Sequence, residues 1–215
     1  MAGRMKLFSL FTVTDEQAMW RVQMNDDAEA FALLVERWEA PIQRLCTRML
    51  GDSHRGEDLS QEAFTKIFAR RKEYVPQGKF STFLWRVALN LCYDELRKRE
   101  RRRETSLEDE FADDDAPLAD DSSPDISLAR HEAAERVRAA LMRLPESYRS
   151  VLVLRHYEDV KFREIAEVLG VPEGTVKSRM AEGLAQLARL LEAERGHSTM
   201  ASMRRSEQRK ELLVL

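Results

Sequence analysis

The chain has 215 residues, 43% of them apolar and 34% charged, which is ordinary for a water-soluble globular protein able to bury one or two small cores. No window approaches a membrane span, and the two cysteines, Cys46 and Cys92, lack the CxxC or CxxxH company of a zinc site or disulfide framework, so no metal, cofactor or membrane insertion is expected. The formal charge of −3 argues at first against a nucleic-acid partner, but residues 104–125 hold ten acidic side chains and no basic one; setting those aside turns −3 into +7.

With 8 glycines, 6 prolines and amphipathic helical stretches almost end to end, the class is all-α. Residues 1–25 read as an N-terminal arm: the apolar run 7–13 (LFSLFTV) is too short for a signal peptide and meets Asp15-Glu16 directly. From Asp27 to Met49 the residues Phe31, Leu34, Val35, Trp38, Ile42, Leu45 and Met49 form a helix stripe, with Pro41 predicting a kink or restart. Gly51-Asp52-Ser53 ends that helix and caps the next, residues 54–70, whose Leu59, Ala63, Phe64, Ile67 and Phe68 face inward. Its other face carries Asp58, Gln61, Glu62 and Thr65, a polar strip that on composition alone is a solvated surface.

A loop over 71–79 follows, with Pro76 and Gly78 as turn residues and Tyr74 expected at the surface. Ser81 then caps a helix whose apolar residues go most of the way round: Phe83, Leu84, Trp85, Val87, Leu89, Leu91, Cys92 and Tyr93. Such a helix is either buried on several sides or offers aromatics to a partner. It ends in Arg97, Lys98, Arg99, Arg101, Arg102 and Arg103, a concentration of cations that suits phosphate, with a solubilising helix end as the plainer reading. Residues 104–127 read as an acidic flexible linker without a core of its own, able to extend roughly 80 Å.

A second helical domain is expected over 128–192. Ala133, Val137, Leu141 and Leu144 make one stripe; after Pro145 a helix buries Tyr148, Val151, Leu152 and Tyr157. In FREIAEVLGVPEGTVKSR, residues 162–179, Ile165, Ala166 and Leu169 have helical spacing, Gly170 suits a positive φ and Pro172 a helix start. This predicts a helix-turn-helix whose second helix has an apolar back, Val176, Met180 and Leu184, and an outer face of Glu173, Thr175, Lys177, Ser178 and Arg179 able to reach base edges and phosphates. A helical hairpin with a solvated face has the same pattern. Residues 193–215 are a tail whose role the sequence does not choose.

Wording separates these alternatives. EDLSQEAFTKIF, residues 57–68, closely resembles the segment with which bacterial sigma factors of the extracytoplasmic-function group, in the sigma-70 family, dock onto core RNA polymerase. The resemblance continues through DAEAFALLVERWEAPIQRLCTRMLGD and GKFSTFLWRVALNLCYDELRKRERR, and through LPESYRSVLVLRHYEDVKFREIAEVLGVPEGTVKSRM, from about residue 26 to 191.

It implies two small helical domains. One, over 26–103, would bind core polymerase through Asp58, Gln61, Glu62 and Thr65 and melt the −10 element. The other would read the −35 duplex through Glu173, Thr175, Lys177, Ser178 and Arg179. The −10 candidates are Tyr74, Gln77, Lys79, Ser81, Thr82, Trp85, Arg86, Asn90 and Arg97; for Trp85 a core place fits equally well. The family's connector threads the polymerase's RNA exit channel, which suits an acidic linker. An anti-sigma partner, a cytoplasmic setting and no catalytic site of its own are further implications. After Arg179 the chain departs from many relatives, placing Glu182 and Leu184 where they continue basic.

Two other classes compete. A stand-alone helix-turn-helix regulator leaves EDLSQEAF and the aromatic helix without a role, and a helical enzyme finds its four histidines scattered and no phosphate-binding glycine loop.

Overall fold

The computed structural model describes residues 13–75, 78–105 and 124–211. Every element among them is helical: α1 Asp15–Asn25, α2 Ala28–Leu50, α3 Ser53–Ala69, a 3-10 turn Arg71–Glu73, α4 Phe80–Thr105, α5 Pro124–Met142, α6 Glu146–Leu152 running on into a π turn Val153–Tyr157, α7 Phe162–Leu169 and α8 Glu173–Glu211. They sort into two compact units, one built mainly on α1–α4 and one mainly on α5–α8, with the short segments Glu167–Gly170 grouped with the first and Arg48–Asp52 with the second. The acidic segment begins inside α4 and ends inside α5; its residues 106–123 lie outside the described residues, as do 1–12, 76–77 and 212–215.

The stretch read as an arm is, from Asp15, a helix of the first unit. Thr14 Oγ1 accepts from the Gln17 N–H at 3.2 Å and Gln17 Oε1 from the Thr14 N–H at 3.1 Å, so two orphan donors of the helix start are satisfied reciprocally. Ala18, Met19 and Val22 are fully buried, each of the larger two worth roughly 1.5–3 kcal/mol. The helix escapes periodicity because it is short and leaves Trp20 and Met24 outside. Its chain turns at Asp26 in the left-handed region, φ 53°, and Asp27 caps α2 by accepting from the Ala30 N–H at 2.9 Å. That backbone bond first, then Arg21, holds the Asp27 carboxyl below the usual carboxylate range.

α2 runs as one helix through Pro41 and does not restart there. Proline removes one backbone donor, and here Leu34 before it and Ile42, Leu45 and Cys46 after it are all fully buried in the same stripe, which offsets the loss. Gly51, at φ +71°, makes the turn to α3. α3 then crosses α2 so closely at Gly56 that a Cβ there would lie 2.7 Å from the Thr47 backbone nitrogen.

α4 is the central strut of this unit. Phe80, Leu84, Trp85, Ala88, Leu89, Leu91 and Cys92 are buried, which accounts for apolar residues wrapping the helix: it packs on α1 and α3, and Trp85 sets its ring edgewise on Trp38 of α2 at 5.6 Å. Cys46 and Cys92 are both buried free thiols; hydrogen bonding between them, with burial, pushes Cys92 well above the ordinary thiol range. Glu95 sits nearly buried between Arg55 at 2.9 Å and Arg99 at 3.4 Å, and these hold its carboxyl below the usual range, Arg55 foremost.

In the second unit the Arg149 guanidinium donates to the carbonyl oxygens of Met142 (2.7 Å) and Leu144 (2.9 Å), closing the end of α5. Val151 to Leu154 are buried, but Tyr157, expected on the same side, is 36% exposed: the π turn holds one residue more than an α-turn and swings the next side chain outward. α8 packs on α6 and α5. Its inner stripe is Val176, Met180 and Gly183, where a Cβ would meet Leu152 at 3.2 Å and Tyr148 at 3.3 Å. Leu184, expected on that back, is 49% exposed, because at 3.6 residues per turn the position seven beyond Val176 stays closer to the stripe than the one eight beyond.

Candidate nucleic-acid and protein interfaces

The turn before α8 is built as its residues dictate. Gly170 takes φ +66°, the Val171 N–H donates back to Ala166 O at 3.1 Å, and Pro172 O accepts from Thr175 N (2.9 Å) and Val176 N (3.2 Å). Val176 is fully buried, so α8 has one rotation. Glu173, Lys177 and Ser178 are exposed and Thr175 and Arg179 half-buried, all on the first two turns. Lys177 pairs with Glu173 at 2.7 Å and Ser178 Oγ donates to Thr175 O at 3.0 Å, whereas Arg179 has no hydrogen-bond or ion-pair partner among the described residues. A guanidinium so placed is ready for a planar two-acceptor edge.

In the first unit a cavity of about 440 Å³ opens between the end of α3, the 71–80 loop and α4. Ile67, Tyr74, Phe83, Val87 and Leu91 make its apolar lining, and Lys66, Arg70, Glu73, Asn90 and Asp94 its polar rim. Tyr74 is buried and packs against Phe83 at 5.2 Å and Phe80 at 6.4 Å, so it forms wall rather than the open surface expected of it; burial raises its hydroxyl above the ordinary range. Asn90 is exposed, and its amide has no partner among the described residues.

Of the other −10 candidates, Thr82 and Trp85 are buried, and Trp85, only 4% exposed and packed against Trp38 in the core, has no ring face open to a base. Ser81 is half-buried, Lys79 and Arg97 are exposed, and Gln77 lies outside the described residues. Arg86 is exposed. Farther along α4, Arg97, Lys98 and Arg101 line a second groove with Asp94 and Glu100, and Asp94 holds Arg97 at 2.9 Å.

Sequence reasoning named Tyr74 and Asn90 but missed Lys66, Arg70, Phe83 and Val87. The signal was present as spacing: Lys66 and Arg70 lie at i, i+4 on α3, and Phe83, Val87, Asn90 and Asp94 at i, i+4, i+7, i+11 on α4.

The polar strip of α3 is at the surface: Asp58, Gln61 and Thr65 are exposed and Glu62 half-buried. Its charges are partly matched within the helix, Asp58 by Arg55 at 3.3 Å and Glu62 by Lys66 at 3.0 Å, and Thr65 Oγ1 donates to Gln61 O. Leu59, Ala63 and Ile67 behind them are buried, so the strip cannot rotate away. Among the described residues no helix is long and apolar enough to cross a membrane, and no cluster of three metal-ligating side chains occurs.

Residues 34–102 match the family model for Sigma-70 region 2, and residues 134–187 that for Sigma-70, region 4. The chain is 34% identical over 171 residues to the ECF RNA polymerase sigma factor SigW of Bacillus subtilis, covering 77% of this chain and 90% of that one. It is 35% identical over 170 residues to the RNA polymerase sigma-H factor of Pseudomonas aeruginosa, covering 77% and 88%. Among solved structures the fold is similar to the sigma factor RpoE of Bartonella quintana, determined with the anti-sigma factor NepR (TM-score 0.63, 20% identity, 77% of this chain and 98% of that one). It is similar too to CnrH, determined with the cytosolic domain of CnrY (TM-score 0.62, 22% identity, 83% and 97%). With both regions present in order, and relatives matched over nine-tenths of their length, the chain belongs to the extracytoplasmic-function sigma factors of the sigma-70 family.

Proposed function

We propose that this sigma factor, which directs RNA polymerase to promoters, opens the −10 element by trapping an unpaired base in the cavity between α3, the 71–80 loop and α4. That cavity carries the reading: it is apolar inside, roomy enough for a nucleobase, rimmed by the unpartnered Asn90 amide and followed along α4 by the cations Arg97, Lys98 and Arg101. A base taken out of the duplex regains stacking and hydrogen bonds there while its phosphates meet positive charge, so the duplex opens without nucleotide hydrolysis.

The −35 duplex is read by Glu173, Thr175, Lys177, Ser178 and Arg179 at the start of α8, with Arg179 as the base-reading guanidinium. Asp58, Gln61, Glu62 and Thr65 on α3 dock on core polymerase. The chain acts in the cytoplasm, has no catalytic site, and is held in reserve by an anti-sigma protein, as the solved complexes of RpoE with NepR and of CnrH with CnrY suggest by analogy.

The test is run-off transcription with purified core polymerase and genomic promoter fragments, with and without the protein, at two salt concentrations. Discrete starts that appear only with the protein, and are lost on Asn90→Ala, support base capture. Unaltered starts with that variant refute the cavity as the capture site. Tight binding to duplex DNA without polymerase, and no new transcripts, refutes the whole assignment.

A further inference from the structure

Three large apolar side chains stand out of the first unit into solvent: Trp20 (55% exposed), Met24 (56%) and Val75 (62%). Trp20 and Met24 are one helical turn apart on the same face of α1. That face is fastened to the 71–80 loop at both ends. Glu16, one turn before Trp20, accepts from the Phe80 N–H at 3.2 Å; Gln23, one turn after it, donates to Tyr74 O at 2.7 Å, while Lys72 Nζ donates to Gln23 O at 2.6 Å. Trp20 therefore lies between the two anchors of the loop that walls the cavity, and Val75, which lines that cavity, lies next to the residue Gln23 holds.

An indole left half in water where it has Met19 and Val22 as buried neighbours is not there for the core. Three side chains of this size expose on the order of 300 Å², short of the about 800 Å² each partner contributes to an ordinary protein interface. A flat ring of one base covers an indole face well. The indole has no partner among the described residues, and Lys72 and Lys79 lie on the adjoining loop, exposed.

We infer that Trp20 is a stacking platform for a second unpaired base of the melted non-template strand, next to the one held in the cavity. This rests on the base-capture reading of that cavity. α1 then has two tasks on one face: it fixes the shape of the loop through Glu16 and Gln23, and it presents an aromatic surface to the strand that the loop has opened. Because the contact is apolar it adds to strand capture without adding to the salt dependence of binding.

The experiment uses holoenzyme assembled from core polymerase and the full chain, on a promoter found by run-off transcription, both as intact duplex and pre-opened by mismatches across −10. Trp20→Ala is expected to lower open-complex yield on the duplex about five- to hundredfold, the equivalent of the roughly 1–3 kcal/mol of one base–aromatic stack. The deficit should be smaller on the pre-opened template, the salt slope and affinity for core polymerase unchanged, and Trp20→Tyr should recover most of the yield.

Wild-type yield with Trp20→Ala overturns the inference. So does weakened binding to core polymerase, which would make the patch a protein contact. Asn90→Ala in parallel separates the two claims: if it lowers the yield while Trp20→Ala does not, only the platform falls, and if neither lowers it, base capture in this cavity falls as well.

Discussion

Arg179 and Glu95 are both charged side chains on helices, and their surroundings assign them opposite work. Arg179 has no partner among the described residues on a helix whose rotation is fixed by the buried Val176. Its replacement by Ala is expected to reduce −35-dependent transcription about five- to hundredfold, the range of one good bidentate base contact, while a pull-down of core polymerase stays as in the wild type. Glu95 is instead spent on Arg55 and Arg99.

Since the folded-state pKa of Glu95 is depressed, chiefly by Arg55, its stabilisation is present above the ordinary carboxylate range and fades as pH falls through the lower folded value. Glu95→Gln should therefore cost about 1–3 kcal/mol at neutral pH. The gap from wild type should narrow in thermal melts taken towards pH 3. A constant gap would place the loss in packing rather than ionisation. Arg179 was singled out in the sequence as a candidate, while Glu95 stood unremarked; of the aromatics chosen near a loop, Tyr74 is wall and Trp85 takes the core place that fitted it equally well, because burial depends on which helices cross, which a single stripe does not encode.

α3 shows what a helix face does when its back is pinned. Leu59, Ala63, Phe64 and Ile67 are buried, so Asp58, Gln61, Glu62 and Thr65 have one orientation and one surface to offer. Reversing Asp58 and Glu62 to Lys together should abolish association with core polymerase with little change in the melting temperature, since both carboxylates are at the surface and their internal partners make only exposed pairs. Retained pull-down of polymerase subunits by that variant sinks the docking assignment. At this scale the sequence was most informative where the buried residues keep one helical period and turn residues mark an end. Residues 27–49, 54–70 and 162–169 were read within a few positions of α2, α3 and α7, because each has one clean apolar stripe and a glycine at one end. It failed at α1, whose Trp20 and Met24 face out and blur the period, and at Pro41 it allowed a restart where α2 is continuous.

With two units on one chain, each carrying a proposed DNA-facing surface, the acidic stretch between them becomes more than a spacer. Residues 104–125 hold ten carboxylates without a cation, a charge density that fits a path otherwise taken by RNA. Replacing those ten with Ser and Gln is expected to alter initiation, with fewer abortive products per full-length transcript on the order of a few-fold, if electrostatic occupancy of that path is their role. Unchanged initiation and promoter escape would remove the charge from the mechanism. The division into two helical domains was visible in composition alone, through the shift from basic to acidic and back. What tied the first of them together was not, since the bonds from Glu16 and Gln23 to the loop join residues about fifty or more positions apart.

Those same bonds carry a lesson for engineering. The loop and α1 are one mould and its casting, although nearly fifty residues of α2 and α3 separate them in the gene. Transplanting the 71–80 segment alone from a relative, to redirect which promoters are melted, brings in a casting without its mould: Gln23, Asp26 and Glu16 would grip a backbone of another shape. A chimaera that also exchanges residues 14–27 should outperform the loop-only graft in open-complex yield on the donor's promoters, and equal yields would show that the loop keeps its shape unaided.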